Sequence, residues 1–61
     1  MTIIEITEKY NKERNNFNFP TISASEGCIQ DILKLHPEFY NLTEDAMLKR
    51  IGWEIYLLAF D

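Results

Sequence analysis

The chain has 61 residues, 46% of them hydrophobic, with ten acids against six bases and a formal charge of −4. A chain this short forms one domain at most and buries only about 60% of its unfolded surface; its single cysteine excludes an intrachain disulfide, and one His with one Cys does not make a metal-binding cluster. The acid excess lies in residues 17–61, seven acids against three bases, which speaks against the basic face that nucleic-acid phosphates require.

The first predicted helix covers about residues 2–15. Ile3, Ile6 and Tyr10 recur at i, i+3 and i+7, one face of a helix. Glu5–Lys9 and Glu8–Lys12 are i,i+4 pairs with the acid first, the favourable order. A short strand over TIIEIT is the rival reading, because Ile is β-branched; the absence of a second strand-like segment favours the helix. NNFNFPTIS then breaks the pattern, with Asn15, Asn16, Asn18 and Pro20 as breakers. Proline holds the residue before it, Phe19, in extended backbone. Phe17 and Phe19 alternate with polar residues, and one or both rings are expected to dock on the core as a lid over the helix ends; a ring left outside marks a contact surface.

The second predicted helix covers about 24–36. Ser23 and Glu26 fit a capping box, and Ile29, Ile32 and Leu33, with His36 as a further candidate, form its apolar stripe. Gly27 in the first turn is unfavourable for a helix and suggests close approach of another backbone. Pro37 stops the helix at Leu35 or His36. In the turn HPEFYN, Phe39 and Tyr40 are the expected hydrophobic anchors.

The third predicted helix covers about 43–60. Thr43 as N-cap places Leu42 and Met47 as a hydrophobic staple, with Glu44 and Asp45 suited to the positive end of the helix dipole; Asn41 as N-cap with Glu44 at N3 is the alternative frame. Asp45–Lys49 is a further i,i+4 pair. Leu48, Ile51, Ile55 and Leu58 form a seam for the first two helices, flanked by Gly52, Tyr56 and Ala59, with Gly52 allowing a close helix crossing. Trp53, Leu57 and Phe60 lie on a different side. A helix apolar all round is normally buried all round, so this second face is expected to meet another chain. The bland alternative is that the first helix and the Phe17–Phe19 segment wrap it within one monomer.

Chemistry finds little support. Cys28 and His36 lie eight residues apart on one helix, about 12 Å along its axis, too far for a nucleophile–base pair. Glu44 and Asp45 are explained by the helix start. No phosphate loop, zinc spacing, EF-hand or nucleophile elbow occurs. The apolar C-terminal run of about ten residues is half a membrane span, no secretory leader is read in MTIIEITEKY, and a lone thiol fits a reducing, cytoplasmic setting.

The sequence therefore predicts a single all-α domain, residues 1–61, of three helices, oligomeric through the third. It is expected to be non-enzymatic, without cofactor or metal, and to bind protein rather than nucleic acid or membrane. Its expected role is that of a regulator, adaptor or inhibitor; richness in Ile, Asn and Lys suits a bacterial or phage source. The expected partner-binding residues are Trp53, Leu57 and Phe60, with Phe17, Phe19 and Tyr40 as secondary anchors. Two alternatives are an acidic DNA mimic using Glu26, Asp31, Glu38, Glu44, Asp45 and Glu54, and a small helix-turn-helix DNA binder.

Overall fold

The computed structural model describes residues 1–59. Three α-helices, α1 (Ile3–Glu13), α2 (Glu26–Leu35) and α3 (Glu44–Leu58), are joined by 3₁₀ turns at Arg14–Asn16 and Pro37–Asn41, with an extended strap over residues 17–25 before α2. No strand occurs among the described residues, so TIIEIT is helical.

Each helix starts on a side-chain cap. Thr2 opens α1 in a reciprocal capping box with Glu5, its hydroxyl accepting from the Glu5 amide at 3.2 Å and the Glu5 carboxylate accepting from the Thr2 amide at 3.3 Å. Thr43 caps α3, its oxygen accepting from the Ala46 amide at 3.3 Å, so the Asn41 frame does not form. The start of α2 departs from expectation: its cap is Ser25, accepting from the Cys28 amide at 3.2 Å, not Ser23. The cause lies on α1. Asn11 clamps both backbone groups of Ala24, its Oδ1 accepting from the amide and its Nδ2 donating to the carbonyl, each at 3.0 Å. Those bonds tie Ala24 to α1, and the helix begins only after it. The end of α2 is as predicted, at Leu35 before His36-Pro37.

The core is the apolar stripe of each helix. Ile6 and Tyr10 from α1, Ile29, Ile32 and Leu33 from α2, and Met47, Leu48, Ile51 and Ile55 from α3 are buried, with Phe39 from the second turn. Each such side chain contributes about 1.5–3 kcal/mol of burial. Tyr40, expected to anchor the same turn, is exposed instead. Leu58 also departs from its predicted seam and is 59% exposed. The buried seam of α3 ends at Ile55.

The two glycines differ from their predicted roles. Gly27 faces open space, with nothing nearer to an added Cβ than the Ser25 Oγ at 4.0 Å, so no backbone packs against it. Gly52 is buried against an aromatic ring rather than a helix: an added Cβ would lie 2.8 Å from Phe17 Cε2 and 3.4 Å from Tyr10 Cε2.

A candidate docking face on the third helix

The strap is stitched to α1 along its length. The Tyr10 hydroxyl donates to the Ile22 carbonyl at 2.7 Å, Asn11 clamps Ala24, and the Thr21 hydroxyl donates to the Arg14 carbonyl at 3.0 Å. Burial pushes the Tyr10 phenol above its ordinary value. This stitching delivers Phe17 and Phe19 to α3. Phe17 covers Gly52 and lies 6.1 Å from the Tyr10 ring. Phe19 stacks on Phe17 at 5.6 Å and meets Trp53 edge-on at 5.3 Å and Tyr56 at 5.9 Å. Trp53 stacks on Tyr56 at 5.3 Å. All these separations fall in the favourable range for aromatic pairs. Phe17 thus docks on the core as expected, while Phe19 rests on Phe17, Trp53 and Tyr56, and the rings run as one row from the buried Tyr10 to the surface of α3.

The row covers only one flank of the outer face. Trp53 remains 41% exposed and Leu57 44%. Beside them, Pro20, Thr21, Ile22, Tyr56 and Ala59 line a shallow, almost wholly apolar dimple. Of the predicted contact residues, the structure thus brings Trp53, Phe19 and Phe17 into one row with exposed Leu57 one turn beyond; Tyr40, on the turn between α2 and α3, is not part of it. Phe60 lies outside the described residues. Sequence reasoning missed Tyr56 and Ile22 as neighbours of this face. The helical spacing of Trp53 and Tyr56 was visible, but the path of the strap was not.

Several other polar groups have local partners. His36 stacks on Phe39 at 4.9 Å, with Nδ1 3.3 Å from Glu38 and Nε2 3.6 Å from Glu54. Cys28 sits half-buried in the first turn of α2, the far end of an unbroken helix from His36, and packs against the core. Lys9 reaches across to Glu44 at 2.8 Å, which holds its ammonium above the ordinary lysine value, while Glu5 is engaged by its Thr2 hydrogen bonds, which hold its carboxyl low. Among the described residues, no three or more His, Cys, Asp or Glu are placed to hold a metal ion, and no helix is long and apolar enough to cross a membrane. Comparison with protein-family models, curated proteins and solved structures finds no match to this chain.

Proposed function

We propose that this is a non-enzymatic protein-binding regulator, adaptor or inhibitor of the cytoplasm, acting through the outer face of α3. The observation that carries the reading is the aromatic row ending in a half-exposed Trp53, with exposed Leu57 one turn on and an apolar dimple alongside. Aromatic residues held by their neighbours and open on one side are the usual energetic centres of protein interfaces. An ordered indole also loses less freedom on binding than a mobile one.

The acids lend less to the DNA-mimic alternative. Glu44 pairs with Lys9, and Glu38 and Glu54 flank His36, so three of the six candidate acids face cationic or imidazole neighbours. Glu44 and Asp45 also occupy the first turn of α3, where a recognition helix would meet phosphates.

The test is binding by the purified chain against Leu57→Asp, with circular dichroism to verify that the variant folds. The wild type is expected to form a complex, with itself or with a protein captured from source-cell extract, and the variant to form none. A wild type that remains alone in both settings, or a variant that binds equally well, overturns the proposal.

A further inference from the structure

We infer that the occupant of this face is a second copy of the chain, packed with its α3 antiparallel to the first and Trp53 beside the two-fold axis; this rests on the protein-binding reading above. The argument is the charge pattern of α3. Viewed down the helix at about 100° per residue, Leu57 and Arg50 lie about 40° and 60° to one side of Trp53, and Glu54 about 100° to that same side. Lys49 and Tyr56 lie on the other side. Lys49 and Arg50 are exposed, and neither makes an ion pair with the described residues. Arg50 and Glu54 are spaced i,i+4 with the base first, the less favourable order within one helix, and no ion pair joins them; the Glu54 carboxylate lies 3.6 Å from its own His36 Nε2 and keeps 30% of its side chain exposed, so it can still meet a second base.

A two-fold axis between antiparallel helices sets each flank against the same flank of its mate, so residue i meets j and j meets i. With the axis between positions 53 and 54, Arg50 of one copy falls about 4.5 Å along the axis from Glu54 of the other, and the reverse pair forms by symmetry. Lys49 then lies beside the last turn of the other copy's α3, the negative end of that helix, which has no basic residue of its own. The surface is therefore complementary to itself in this orientation, whereas a parallel pairing sets each flank against the opposite flank of its mate and so brings Arg50 beside Lys49 of the other copy. The contact strip is about 20 Å long and one helix wide. It buries about 400–500 Å² per copy, the low end for specific interfaces, so the pair is weak and concentration-dependent.

Sedimentation of the purified protein from about 10 to 500 µM tests this, since weak interfaces dissociate in the micromolar range. The wild type is expected to show a reversible monomer–dimer equilibrium. Arg50→Glu and Glu54→Arg should each weaken it by about tenfold or more, because each sets like charges across the axis. An equimolar mixture of the two variants should recover association, since only the mixed dimer has both cross-chain pairs complementary. Trp53→Cys in a Cys28→Ser background should form an interchain disulfide on oxidation, whereas Ile4→Cys in that background, on an exposed position of α1, should not. A wild type that is monomeric throughout, or a mixture no better associated than either variant alone, overturns the self-pairing. If that monomer still captures a protein that Leu57→Asp loses, the docking face stands with a different occupant; if it captures nothing, both proposals fall.

Discussion

Gly52→Ala offers the sharpest check on how the strap meets α3. The new methyl would stand 2.8 Å from Phe17 Cε2 and 3.0 Å from Cδ2, where carbon atoms prefer about 3.5–4.0 Å. Phe17 must retreat by the better part of an ångström, and it is hemmed in by Tyr10 at 6.1 Å and Phe19 at 5.6 Å, the latter backed by Trp53 and Tyr56. Such overpacking costs about 1–3 kcal/mol, against a gain of about 1 kcal/mol for replacing Gly by Ala in a helix. The net expectation is a loss of about 1 kcal/mol. In a Phe17→Ala background the clash is gone, and the remaining neighbour, Tyr10 Cε2 at 3.4 Å, is an ordinary contact. There the same substitution should stabilise by about 0.5–1 kcal/mol. The sign of one substitution thus reverses with the identity of a residue 35 positions away in sequence. Urea unfolding of the four proteins, followed by circular dichroism, gives the cycle, with Phe17→Val as the milder background. An equal effect of Gly52→Ala in both backgrounds would refute the account of Phe17 as the ring that requires a glycine here.

Other perturbations probe separate contacts. Gly27→Ala, where an added Cβ would meet nothing nearer than Ser25 Oγ at 4.0 Å, should raise stability by about 0.5–1 kcal/mol in the same urea assay. Asn11→Ala removes both bonds to Ala24 and should lower stability by about 1–3 kcal/mol, with hydrogen exchange at the Ala24 amide accelerating most. The Tyr10 phenol is raised by burial; its contribution is full below about pH 10 and is lost as pH rises toward the folded value, so Tyr10→Phe should flatten that alkaline limb of stability. The Glu5 carboxyl is held low by its Thr2 bonds; its contribution is full above about pH 4.3 and is lost as pH falls through the folded value, so Glu5→Gln should flatten the acid limb.

The three helices were legible because their stripes are made locally. Ile6 with Tyr10, Ile29 with Ile32 and Leu33, and Leu48 with Ile51 and Ile55 all read at helical spacing and are all buried. The Thr43 cap was equally local. What misled was decided at a distance. Ser23 and Ser25 are both competent caps, and a clamp from Asn11, thirteen residues before Ala24, selects the second. Lys9 was paired on paper with Glu5 along α1, but Thr2 engages that carboxylate and Glu44 takes the ammonium. Leu58 fits the seam by period, but the buried part of that seam ends one turn earlier, at Ile55. For the docking face, the wheel placed Trp53 and Leu57 outward, while the row behind Trp53 depends on where Phe19 is carried by a strap without regular structure.

That strap is what gives an indole on the surface of so small a domain its aromatic neighbours. A lone exposed Trp gains little from burial and keeps its rotamer freedom. Here Phe19 and Tyr56 hold the Trp53 ring. Phe19 is braced by Phe17, and Phe17 by Tyr10, whose ring is fully buried and whose hydroxyl fixes Ile22 in the same strap. The glycine at position 52 is what lets Phe17 lie close enough to α3 to complete the series. A mid-helix glycine, which weakens α3 as an isolated helix, is therefore what admits the ring on which the aromatic row is built. Alanine at position 52 would press Phe17 away from α3, whereas a polar residue at the exposed position 57 would leave the core untouched; the two positions therefore separate the bracing of the aromatic row from its open side.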